Sequence, residues 1–237
     1  MAKQITLVIL AFLILSSGAE AKRKKSGSGT IKDGIYTDAK HGFQINLLEG
    51  WKGEAGKKSA NLRLITSDKE MEDTQRKQNK VPKANPVLGV PTAAIFVFET
   101  DLSPAALIDS VLALDGKSEQ RKEVLKQTSP SKKYDCVDSL VTQLKKDTEV
   151  DGRPGKLWAG SIGYHPCRYT PEEMEKTAQQ LGMKPVPRFY GAVFVSTRLD
   201  EKHVLVLAAH CDRRLLKETR LDVTELIKTF KWAGEGK

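Results

Sequence analysis

The chain is short of the residues from which most exported mini-proteins and most recognisable enzymes are built. Cysteine is scarce: Cys136, Cys167 and Cys211 are the three in 237 residues, so stability does not rest on a disulfide framework, and there is no Cys-x-x-Cys knuckle of the structural zinc kind. Aromatic residues make up 6% of the chain and are not interleaved with a basic stripe, which excludes a stacking platform for single-stranded nucleic acid. No nucleic-acid-binding motif occurs. A glycine-rich phosphate cradle is also missing. Ser161 in "AGSIGY" lacks the Gly-x-Ser-x-Gly elbow and lies in a strand-like run, which argues against a hydrolase serine. The acids Asp135 and Asp138 have no partner spacing of the paired-carboxylate kind.

The one long apolar run is at the start, Ile5 to Leu15, too short for the roughly 20 residues that span a bilayer. With Lys3 before it and Ala19-Glu20-Ala21 after it, it has the layout of a signal peptide cleaved after Ala21. The protein is therefore expected in the periplasm or outside the cell, with residues 1–21 removed and no membrane span left. Lys22, Arg23, Lys24 and Lys25 follow at once and oppose translocation by the positive-inside tendency, which makes a retained anchor the alternative. Residues 22–30 read as a basic, Gly/Ser-containing disordered linker. The whole chain has a net charge of +9, and the loss of Lys3 and Glu20 with the signal leaves that unchanged. The excess base is spread over clusters at 22–25, 76–83 and 213–220, the pattern of a solvated surface or of one that meets an anionic partner.

The remainder, 31–233, reads as a single domain. "GFQINLLEGW" alternates Phe43, Ile45 and Leu47 against Gln44 and Asn46, the period of a half-buried strand, and "NLRLIT" repeats it after a turn at 53–59. Residues 67–92 lose all periodicity and contain three prolines, which predicts a long inserted loop with a helical turn at 69–78. "AAIFVFET" is a buried strand, and Ser103-Pro104 then gives an N-cap and a first-turn proline to a helix with Leu107, Ile108, Val111 and Leu114 on one face. A polar helix follows at 118–127.

Asp151-Gly152 sits between two extended runs, a hairpin signal. Thr170-Pro171-Glu172-Glu173 opens another helix, with Met174, Ala178 and Leu181 as its apolar face and Gly182 as its stop. "FYGAVFVSTRL" and "HVLVLAAHC" make a last hairpin about Asp200-Glu201-Lys202. A final helix is predicted to run to about Trp232, with Val223, Leu226, Ile227 and Phe230 inward. This order gives an α+β fold, an α/β/α sandwich with a central antiparallel sheet of about six or seven strands covered by helices.

Two stretches resemble a known family. "DGIYTDAKHGFQINLLEGW", with Tyr36, Gly42-Phe43 and Trp51, resembles the start of the PsbP-like domain, the fold of the extrinsic photosystem II protein and of a eukaryotic Ran-binding protein. Leu48-Glu49 stand where that family usually has a proline. "VFVSTRLDEKHVLVLAAHCD" and the helix ending "IKTFKW" look like its last hairpin and closing helix. The resemblance implies an exported binding or assembly factor without catalysis or cofactor, with a protein partner or an anionic envelope surface as its target. Within that fold Tyr36, Phe43 and Trp51 are read as closing one edge of the core, with Tyr36 and Trp51 the weak candidates for binding.

The competing reading is a metal- or thiol-dependent enzyme built on His165, Cys167, His210 and Cys211. Two imidazoles and two thiols would make a zinc set if they converged, yet His210 and Cys211, as strand neighbours, point to opposite faces. The bland alternatives are a Cys167–Cys211 disulfide, with Cys136 as a buried spare thiol, or no relation between the two segments.

Overall fold

The computed structural model describes residues 29–56, 60–66, 73, 77, 90–114, 118–128, 136–165, 171–182 and 188–232. The segment read as a signal peptide, most of the segment 67–92 read as a loop, Cys167 and Thr170 lie outside them. In chain order the elements are β1 (Gly29–Lys32), β2 (Ile35–Asp38), β3 (Phe43–Asn46), β4 (Trp51–Ala55), β5 (Leu62–Thr66), β6 (Thr92–Glu99), α1 (Pro104–Leu112), α2 (Glu119–Thr128), β7 (Cys136–Val150), β8 (Arg153–His165), α3 (Pro171–Gln180), β9 (Arg188–Arg198), β10 (His203–Asp212), α4 (Leu216–Lys228) and β11 (Lys231–Trp232).

The strands form two sheets. One has seven strands in the order β4-β5-β6-β10-β9-β8-β7, and the other has four in the order β1-β2-β3-β11. All pairings are antiparallel. The seven-stranded sheet is the one expected. The four-stranded sheet is not, and it takes the opening aromatic strand away from "NLRLIT", its expected partner. Gly53–Ala55, read as part of the turn, instead continue from Trp51 as a strand paired with β5. β1 starts at Gly29, inside the segment read as linker.

Local chemistry explains the turns and caps. Asp151 and Gly152 have φ of 46° and 82°, the left-handed pair that a two-residue hairpin turn needs for its twist to match the strands. Asp33 and Gly34 repeat it, at 50° and 75°, between β1 and β2. The Ser103 side chain accepts from Ala106 N, with Pro104 next in the first turn, so α1 begins where its sequence signal stands.

Both faces of the seven-stranded sheet are covered. Along β10, Leu205, Leu207, Ala209 and Cys211 join one core with α4 and the small sheet, while Val204, Val206 and Ala208 join the other with α1 and α2. This is why "HVLVLAAHC" reads as a nearly unbroken apolar run. Helix α1 buries Leu107, Ile108, Val111 and Leu112, each worth about 1.5–3 kcal/mol of burial. Leu114, assigned to the same face, lies beyond the helix end and is 58% exposed.

Helix α4 ends at Lys228 rather than running on to Trp232. The Trp232 N–H donates to Asp151 Oδ2 at 3.0 Å, its ring nitrogen donates to the carbonyls of Val150 at 3.2 Å and Asp151 at 3.0 Å, and Arg153 lies 4.2 Å over the ring. The hairpin turn far back in the chain thus captures the C-terminal tryptophan and pulls its backbone into β11 against β3.

Candidate functional site

Within the His/Cys set, His210 and Cys211 do not converge, and Cys167 lies outside the described residues. His210 and Cys211 occupy successive positions on β10, and their side chains enter opposite cores. His210 is 1% exposed. Its Nε2 meets the Tyr164 hydroxyl, its ring stands edge-on to Phe194 at 5.6 Å, and its Nδ1 has no hydrogen-bond partner. Burial pushes its pKa down to about 3, so the ring is neutral at any ordinary pH. Burial likewise raises the Tyr164 hydroxyl far above the tyrosine range, while Arg121 acts in the other direction.

On the opposite face Cys211 is buried and free, its Sγ 3.7 Å from the Gly191 carbonyl. A Cβ on Gly191 would stand 2.8 Å from that sulfur and 3.0 Å from Leu216, so the small residue makes the room for the thiol. The expected Cys167–Cys211 bridge is therefore not formed: Cys211 is sealed between the sheet and α4. Cys136, assigned as a buried spare thiol, is instead disulfide-bonded and only half-buried. Its register partner across β7 and β8 is His165. Among the described residues no group of three or more His, Cys, Asp or Glu could hold a metal.

Burial pushes the Cys211 thiol up to about 12, against the effect of a Thr219 hydrogen bond. Since the thiolate is the reactive form, iodoacetamide should leave the folded, unreduced protein unlabelled and add one equivalent once urea unfolds it. Mass spectrometry reads both states, and labelling of Cys211 in the folded chain would contradict this burial.

Tyr36 and Trp51 are placed differently from each other. Tyr36 is fully buried, 5.9 Å from Phe43 ring to ring, and its hydroxyl donates to Asp38 Oδ2 and the Asn61 carbonyl, both at 3.1 Å. Burial, then the Asp38 charge, raises its pKa well above the usual tyrosine value. Asp38, also fully buried, further accepts from Asn61 Nδ2 at 2.9 Å and from the backbone N–H and Nδ1 of His41, both at 3.1 Å. Trp51 is half-buried, and its ring nitrogen donates to Asp222 Oδ2 at 3.3 Å. Both aromatics pack in or against the core on the α4 side.

A feature that sequence reading missed lies at the opposite end of the sheet. β7 is an edge strand, with register shifts at Val137/Ser139 and Thr142/Leu144 that bend it away from regular pairing. Beside it a cleft of about 250 Å³ opens between the end of α1 and the β7–β8 pair, lined by Leu112, Ala113, Leu114, Leu140, Thr142 and Trp158. The Trp158 ring nitrogen donates to Thr142 Oγ1 at 3.0 Å, and an ion pair from Lys145 to Asp109, 2.8 Å long, crosses the rim. That volume falls below the roughly 300–1,000 Å³ of small-molecule and cofactor sites and suits one or two apolar side chains. The sequence signal was Leu114, an apolar residue counted in the helix face but standing two positions past the helix end.

No protein-family model matches the chain, and no curated protein does. Solved structures do. They include cyanobacterial PsbP from Synechocystis sp. PCC 6803, at 10% identity and TM-score 0.43 over 84% of this chain and 91% of that one. Another is LpqN of Mycobacterium tuberculosis, involved in cell envelope biogenesis, at 10% identity and TM-score 0.43 over 81% and 83%. A third is the Ran-binding protein Mog1p of Saccharomyces cerevisiae, at 6% identity and TM-score 0.44 over 81% and 90%. The chain's solved neighbours thus include a PsbP and a Ran-binding protein, the two kinds of protein whose fold its end segments resemble, and similarity at this level carries nothing about activity or partner.

Proposed function

We propose that the chain is an exported, non-enzymatic binding or assembly factor that takes an extended segment of a protein partner against the open edge of β7. The observation behind this reading is that edge: a 15-residue strand that has a paired strand on one side only among the described residues, flanked by a shallow apolar cleft. Leu114 is 58% and Val141 47% exposed beside it. Added strands gain affinity from main-chain hydrogen bonds and selectivity from pockets that receive alternate side chains. The two bulges restrict such pairing to the regular stretches between and after them, which guards the edge against indiscriminate association. The basic 67–92 segment and the basic lead, largely outside the described residues, would supply attraction to an anionic envelope surface.

A photo-crosslinking residue at Leu114 or Val141, expressed in the native host, should give one discrete adduct. The same residue at Leu221, 53% exposed on α4, should give none. Adducts of equal yield from all three positions, or from Leu221 alone, would remove β7 as the contact surface.

A further inference from the structure

His41, in the turn between β2 and β3, and His203, the first residue of β10, are remote in sequence, yet their rings meet at 5.8 Å between centroids with planes at 63°. Each ring is held from behind by a carboxylate three residues earlier. His41 Nδ1 lies 3.1 Å from Asp38 Oδ1, and His203 Nδ1 lies 2.9 Å from both Asp200 oxygens. The backbone N–H of each histidine also donates to the same aspartate, at 3.1 Å and 2.9 Å. An ionised carboxylate only accepts, so a neutral His203 ring carries its hydrogen on Nδ1 and leaves a lone pair on Nε2; His41 Nδ1, which also lies 3.3 Å from Asn61 Nδ2, takes the same tautomer when it donates to Asp38.

A carboxylate behind the ring and a lone pair in front is the arrangement in which proteins set histidines to ligate metal. Two imidazoles that share one zinc through nitrogens about 2.0–2.1 Å from it have ring centres roughly 5–6 Å apart. The observed separation falls in that range. Directly across the β6–β10 ladder from His203 stands Glu99, an exposed residue on the same face of the sheet, since directly opposite residues sit about 4.5–5.5 Å apart at Cβ.

We propose that His41 and His203 form a site for a zinc- or copper-class divalent ion, with Glu99 the carboxylate available to join them. Imidazole with one carboxylate suits those ions. Among the described residues no third ligand already stands in place, so the coordination shell has room for water or for a side chain of a bound partner. The ion would tie the small sheet's β2–β3 turn to the β9–β10 hairpin of the large one.

The test uses the full chain, stripped by chelation, in titrations with Zn²⁺ by calorimetry and with Cu²⁺ by native mass spectrometry and electron paramagnetic resonance. One equivalent should bind with micromolar affinity, and the Cu²⁺ spectrum should show the hyperfine pattern of two imidazole nitrogens. His41→Ala and His203→Ala should each weaken binding by more than about 100-fold, the upper end of what losing even an outer partner of a ligand costs. Glu99→Gln should weaken it less. No retained ion, affinity unchanged in both variants, or loss on His165→Ala in their place would overturn the site. If a variant fails to fold, the spectrum of the unsubstituted chain decides, because fewer than two nitrogen donors there is equally fatal.

Discussion

Taking the protein from pH 7.5 to pH 5 is expected to remove about 2 kcal/mol of folding stability through His210 alone, and about 3 kcal/mol by pH 4. The folded ring has its pKa depressed by burial to about 3, whereas in the unfolded chain it titrates near the ordinary histidine value. Below that value the unfolded state binds a proton that the folded state refuses. The stability is therefore fully present above about pH 6.5 and is lost as pH falls toward the folded pKa. Acidic groups held below their usual range, such as Asp212 beside Arg214, add the same sign of dependence only further into acid, and comparison with a variant that does not titrate at this position separates His210 from the other histidines. Urea midpoints of the wild type and of His210→Gln, which keeps a hydrogen-bonding partner for Tyr164 but does not titrate, should diverge across that window. Parallel curves would mean that the ring accepts its proton inside the fold.

Asp38→Ala should be the most damaging single polar substitution, at about 3–5 kcal/mol. One fully buried carboxylate accepts from the Tyr36 hydroxyl, Asn61 Nδ2, and the backbone and ring of His41. Removing it takes an acceptor from all four donors, of which the Tyr36 hydroxyl keeps the Asn61 carbonyl, and an unpaired buried polar group costs its whole desolvation penalty. The loss would also free the His41 ring to turn. Asn61 ties the same cluster to the large sheet, since its Oδ1 accepts from Val97 N at 3.0 Å. Asp38→Asn, which retains one acceptor oxygen, should lose markedly less. Thermal or urea unfolding of the two variants measures the difference, and equal, small losses would show that water replaces the carboxylate.

Much of the local structure was written in short signals. Ser103-Pro104 started α1 and Asp151-Gly152 closed the β7–β8 hairpin where their chemistry placed them, because caps and two-residue turns need only neighbouring residues. Asp33-Gly34 was the same signal, overlooked because the run before it, "GTIK", is too short and polar to read as a strand. The polar run of α2 conceals Arg121, 1% exposed, whose Nη1 donates to the Ala113 carbonyl at the end of α1. A charge buried to cap a neighbouring helix looks, in sequence, like any surface arginine.

The sequence by itself determined the longer segments that extend or coil, the short β1, β4 and β11 excepted, and with them the α+β class, since periodicity and turn chemistry act over a few residues. Only the tertiary structure decided which sheet each strand joined. It also set which face each side chain entered, that Cys211 stayed free under α4, that Trp232 was captured by a turn some 80 residues earlier, and that His41 met His203. These outcomes depend on contacts whose partners are distant in the chain, and their energies come from burial and from satisfying buried polar groups, neither of which has a local sequence pattern.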